Sequence, residues 1–93
     1  MRTYEELIND GFYGKIPLAT LQTLIDYVDD GMPLGGFLNA VLLNDLQGAF
    51  ALSDDENQRA MNEIVKFVYN EMPAPSHGSQ ERVEKWMEMR NGS

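Results

Sequence analysis

The chain contains no cysteine. Disulfides, thiolate metal centres and a cysteine nucleophile are therefore excluded, and nothing argues for an oxidising compartment, so the cytosol is the expected location. A single histidine leaves a transition-metal site without ligands. Long apolar runs are missing too: Ala40 to Leu43 is as long as they get, against the ~20 residues a membrane-spanning helix needs. Met1-Arg2-Thr3-Tyr4-Glu5-Glu6 lacks the apolar core of a signal peptide, so the expectation is a protein neither exported nor inserted in a membrane. Positive charge is scarce. Seven basic residues face fifteen acidic ones, a formal net charge of −8, which repels phosphate backbones and anionic membranes and attracts basic surfaces.

What remains suffices for a folded domain. At 93 residues the chain hides roughly 60–65% of its unfolded surface, and 43% apolar residues are too many for a disordered acidic segment. A single domain over 1–93 is expected, with a fraying tail at about 90–93. The negative charge is unevenly placed. Residues 1–58 hold ten acids and two bases, whereas residues 59–93 hold five of each.

Helical periodicity dominates. Thr3 and Glu6 have capping-box spacing and Gly11 is a stop, so residues 4–10 read as a short first helix. Pro17 fits the first turn of a second helix with Leu18, Leu21, Leu24, Ile25 and Val28 on one face and Gly31 at its end. After Met32-Pro33-Leu34-Gly35-Gly36, the apolar residues from Phe37 through Leu46 to Phe50 cover most of a circumference, which predicts one central helix. Ser53 and Glu56 form a second capping box, opening a helix with Met61, Ile64, Val65, Val68 and Met72 on its stripe that Pro73 terminates. Ser79 caps a last helix to about Met89, with Val83, Trp86 and Met87 inward. No alternating pattern competes. The expected architecture is all-α: a compact array of four main helices plus a short N-terminal one.

The string Pro33-Leu34-Gly35-Gly36-Phe37-Leu38-Asn39-Ala40-Val41-Leu42-Leu43-Asn44-Asp45-Leu46, with Asp54-Asp55-Glu56-Asn57, Tyr69-Asn70-Glu71-Met72-Pro73 and Gly78-Ser79, resembles a group of short accessory proteins of tailed phages and prophages. The resemblance covers residues 16–87. Members of that group often carry a Cys-Trp pair before the Gly-Ser, where this chain has Ser76-His77. The resemblance implies a protein that acts on host machinery and leaves the mechanism open.

Candidate sites follow from side-chain chemistry. Gly35 and Gly36 at a helix start can offer free N–H groups to an anion, or merely permit a sharp turn and close packing. No G-x-G-x-x-G or G-K-[ST] pattern accompanies them. Asn39, Asn44 and Asp45 interrupt an apolar stretch; they either line a groove with Tyr69, Asn70 and Glu71 or bond neighbouring helix ends, the reading preferred here. Arg59, Glu63, Lys66 and Asn70 share a solvated face, on which Arg59–Glu63 and Glu63–Lys66 can form surface pairs. His77, with Ser76 and Ser79 beside it, lacks the surroundings of a catalytic triad. Asp54, Asp55 and Glu56 can hold calcium or magnesium weakly, but the EF-hand spacing is absent and capping explains them better. A helix-turn-helix DNA reader is discarded because Phe37 to Leu46 contains no basic residue.

Two acidic clusters remain, Asp26, Asp29 and Asp30 at the end of one helix and Asp54, Asp55 and Glu56 at the start of another. Asp29 and Asp30 sit where the helix dipole disfavours them. The leading expectation is a non-enzymatic protein, without cofactor, metal or direct nucleic-acid contact, that binds and inhibits a host protein with a basic surface through these six acids if the fold brings the two clusters together; the plain alternative is that the acids only keep a small protein soluble. The alternative is a small-molecule binder holding a nucleotide-type ligand in an inter-helix or inter-subunit pocket near Gly35, Gly36, Asn39, Asn44, Tyr69 and Asn70. There Phe12, Tyr13, Phe37 or Tyr69 would stack a base and Lys15 or Lys66 would meet phosphate. A third option is a homo-oligomer held by Trp86, Met87 and Met89, or by Phe12 and Tyr13.

Overall fold

In the computed structural model, which describes Glu6 and residues 13–91, all regular structure is helical. Six α-helices follow one another: α1 Leu18–Asp30, α2 Gly36–Leu42, α3 Leu46–Leu52, α4 Asp55–Arg59, α5 Met61–Glu71 and α6 Gln80–Asn91, with a 3₁₀ turn at Ala74–Ser76 before α6. The short helix expected over residues 4–10 lies outside the described residues, apart from Glu6, which is helical.

α1 forms where the spacing places it. Pro17 is its N-cap, one residue ahead of the first helical position, and Gly31 closes it in the left-handed conformation at φ 67°. That glycine has a second role. A Cβ there would lie 2.8 Å from the Met87 carbonyl oxygen and 3.0 Å from Arg90 Cβ, so its bareness lets α6 pack against the end of α1. Leu21, Leu24, Ile25 and Val28 are buried as expected, but Leu18 is exposed and Tyr27, absent from the predicted stripe, is fully buried.

The single central helix expected over residues 37–50 is two helices. Asn44 adopts φ 62°, a left-handed conformation that Asn tolerates better than most residues, and it ends the run that began at Gly36. Asp45 then caps α3 by accepting a hydrogen bond from the Gly48 N–H at 3.0 Å. The helix expected over residues 53–72 also divides, into α4 and α5, at Ala60, whose N–H still reaches the Glu56 and Asn57 carbonyls. Its cap is Asp54, which accepts from the Asn57 N–H at 2.8 Å. Ser53 instead donates to the Phe50 carbonyl. Four main helices thus become six shorter ones.

The core gathers Leu21, Leu24 and Tyr27 from α1, Leu42 from α2, Ile64 and Phe67 from α5 and Val83 and Trp86 from α6. Tyr13 seals one edge, with its ring edge-on to Phe67 at 5.2 Å and its hydroxyl donating to Glu71. Two buried hydrogen bonds fix the other. Tyr27 donates to the Ser76 carbonyl at 2.7 Å, and the Trp86 indole N–H donates to the Val28 carbonyl at 3.2 Å. Between these bonds the 3₁₀ turn, α1 and α6 are tied together. The Cα radius of gyration is 12.3 Å, about that of a close-packed chain of this length. Met72 is extended before Pro73, ending α5 as expected, and Ser79 accepts from the Arg82 N–H to start α6. Arg90 and Asn91, expected to fray, continue α6. No helix among the described residues is long and apolar enough to cross a membrane.

Candidate functional site

The acids of the two clusters occupy opposite ends of α1. Thr20, near its start, donates to the Asn57 side chain of α4 at 2.7 Å, and Glu56 shares a cleft with Lys15, Pro17 and Ala19. Asp29 lies ten residues beyond Ala19, about 15 Å along the helix axis at 1.5 Å per residue. Asp29 and Asp30 therefore stand apart from Glu56 by more than the ~8 Å over which physiological salt screens, while Asp26, seven residues beyond Ala19, lies about 10 Å along the same axis.

Their members differ in what else they do. Asp26 is half-buried and accepts from the Gln22 side chain at 2.7 Å, while Asp54 is engaged as the α4 cap. Asp55 and Glu56 stand in the first turn of α4, where the positive end of the helix dipole favours them. Asp29 and Asp30 are exposed in the last turn of α1, where it does not. Among the described residues no group of three or more His, Asp or Glu side chains converges as a metal site.

The residues of the nucleotide alternative lie in the open. Gly35, Gly36, Asn44 and Asn70 are exposed, Asn39 is half-buried, and Tyr69 is 78% exposed with its ring 6.3 Å from His77. Neither of the two cavities identified below includes any of them. Gly35 has no heavy atom within 4 Å of a Cβ built on it, whereas a Cβ on Gly36 would lie 3.3 Å from Leu52 Cδ1, so close packing bears on Gly36 and not on Gly35. The polar interruptions resolve mainly by exposure, and no buried side-chain nitrogen or oxygen among the described residues lacks a partner. Tyr13, considered for base stacking or a dimer contact, is buried, and Phe12 lies outside the described residues. Trp86 is buried too, leaving Met89 as the exposed member of its group.

Two concavities stand out among the described residues. One is an open cleft of about 630 Å³ at the start of α1, with Lys15, Arg59 and Glu56 around it. The other, about 360 Å³, lies between the 3₁₀ turn and α6 and is lined by Ala74, Pro75, Arg82, Lys85, Trp86 and Met89. Sequence reading missed the second. Its signal is present in the spacing of Arg82, Lys85, Trp86 and Met89, which puts all four on one stripe of a helix, but the sequence reading weighs Trp86 for the core or a dimer contact and gives the two cations no part.

Ionisation adds little reactive character. Burial pushes the Tyr27 hydroxyl up to about 12. It lowers the His77 imidazole below its ordinary range; a hydrogen bond with the Met72 backbone opposes the shift and the Arg82 charge adds to it. Glu81 is held below the usual carboxylate range by its hydrogen bond to Lys85 and by that residue's charge. Among the described residues, no salt bridge joins Arg59, Glu63 and Lys66, although they share a face; Lys85 and Glu81 pair at 3.0 Å.

Comparison of the chain with protein-family models, with curated proteins and with solved structures returns no match.

Proposed function

We propose that this is a non-enzymatic accessory protein of phage origin that binds and inhibits a host protein, a defence or nucleic-acid-handling complex, through its acidic surface. The observation that carries the reading is the placement of Asp29 and Asp30. They are exposed, their carboxylates make no hydrogen bond or ion pair with a described residue, and they occupy a helix C-terminus that their charge destabilises by a few tenths of a kcal/mol. A cost without a structural return suits a role in recognition. The second cluster, about 15 Å away along α1, would give the partner two anchoring points on a rigid rod. Such a spacing sets orientation as well as attraction.

The test is capture of the partner from host lysate, followed by affinity measurement with that purified partner at about 0.05 and 0.5 M salt. Binding should weaken at least about tenfold at the higher salt, and about tenfold at low salt in the D29N/D30N variant. Affinity that is indifferent to salt, or that survives replacement of Asp26, Asp29, Asp30, Asp54, Asp55 and Glu56 by Asn and Gln, would refute the proposal.

A further inference from the structure

The groove between the 3₁₀ turn and α6 has a charge character opposite to that of the whole protein. α6 segregates its side chains into stripes. Arg82, Lys85, Trp86 and Met89 follow one another at i, i+3, i+4 and i+7, while Glu81, Glu84 and Glu88 follow at i, i+3 and i+7 on a neighbouring stripe. The first stripe faces the groove and the acids do not line it. An apolar floor of Ala74, Pro75, Trp86 and Met89 is thus rimmed by two cations, on a chain of net charge −8.

From this arrangement we infer that the groove binds a small carboxylate bearing an aromatic or branched apolar group. Its volume, about 360 Å³, lies in the range of sites that take small organic ligands. Its walls are set before any ligand arrives. Trp86 is pinned by its N–H bond to Val28 and by Arg90, whose guanidinium carbon sits 4.8 Å from the ring centroid; the facing turn is held by Tyr27 through the Ser76 carbonyl. Preorganised walls lower the ordering cost of binding.

The rim cations are available. Arg82 donates to the His77 carbonyl at 3.4 Å, a long bond that uses one of the five N–H donors a guanidinium carries. Lys85 is paired with Glu81, but both side chains are 74% exposed, and an exposed pair of this kind is weak enough to exchange for a ligand carboxylate. Met89, 57% exposed, is the apolar surface that the ligand would cover. A doubly charged cation or a basic peptide finds no acid in the lining. This inference stands apart from the acidic-surface reading, since it uses none of those six acids.

Trp86 is the only tryptophan of the chain, so its emission reports on the groove directly. The experiment titrates the full chain with 4-phenylbutyrate and, separately, with the uncharged 4-phenyl-1-butanol. The acid should shift Trp86 emission saturably at millimolar concentration and bind about three- to tenfold tighter than the alcohol. The R82Q/K85Q variant should lose that preference while retaining the alcohol's affinity, and the uncharged Met89→Asn should weaken both ligands about tenfold. Far-ultraviolet circular dichroism of each variant confirms that it folds. Equal affinity of acid and alcohol for the native chain would overturn the inference. So would amide shifts confined to residues away from the groove, or emission that changes with protein concentration alone, which would show a second copy covering it.

Discussion

Leu42 and Leu46 are four residues apart in the most apolar stretch of the chain, and on one unbroken helix they would share a face. Leu42 is fully buried and Leu46 is 54% exposed. The break at Asn44 separates their fates. α2 buries Leu38, Ala40, Val41 and Leu42, whereas α3 buries Ala49 alone and leaves Leu46, Phe50 and Leu52 open. The hydrogen bonds differ in the same sense. α1 sends long-range bonds to α4 and the 3₁₀ turn and accepts one from α6, while the side-chain bonds of α3 stay within its own two ends. Equal hydrophobicity therefore does not confer equal stability; a residue contributes according to the partners that the chain path brings to it.

The most direct attempt to break this contrast makes one substitution on both sides of Asn44. Leu42→Ala should cost about 2–5 kcal/mol in urea unfolding, the usual range for a buried leucine, and Leu46→Ala about 1 kcal/mol or less. Equal costs would mean that α3 is packed as tightly as α2. A smaller effect sharpens the other side of the comparison. Tyr27→Phe should destabilise by about 1–2 kcal/mol, because the Ser76 carbonyl loses its buried donor.

The same residue gives the pH dependence a sign. Burial raises the Tyr27 hydroxyl from 10.0 to about 12, so the folded state holds that proton more tightly than the unfolded one. Its contribution is fully present below pH 10.0 and is lost as pH rises through about 12. Urea midpoints should therefore fall across that window in the native chain and fall less steeply in Tyr27→Phe. The smallest expected effect is at the α3 cap. Asp45→Ala should cost about 1 kcal/mol or less and speed amide hydrogen exchange in Leu46–Leu52 more than in α1.

Much of the fold was legible along the chain. The C-terminus of α1, the start of α6 and the stop before Pro73 follow from Gly31, Ser79 and Pro73, because capping and proline geometry are decided within a few residues. The split at Asn44 was not, since an Asn inside an apolar helical pattern is compatible with both a continuous helix and a left-handed turn. Tyr27 follows Leu24 by three residues and precedes Val28, so its place on the stripe was readable; that its hydroxyl can be buried there depends on the distant Ser76 carbonyl that accepts from it. The acidic residues were visible and their separation was not. Thr20 meeting Asn57 sets it, a contact between residues 37 apart.

The amino-acid sequence determined the all-helical character, the single core, the acidity and the absence of thiol chemistry, because each follows from composition or from interactions reaching no more than four residues. The tertiary structure alone decided which half of the apolar stretch is buried, how far apart the acid clusters stand and that Arg82, Lys85 and Met89 border a groove. Those outcomes depend on which distant segments meet, and periodicity along one segment carries no information about what will lie opposite it.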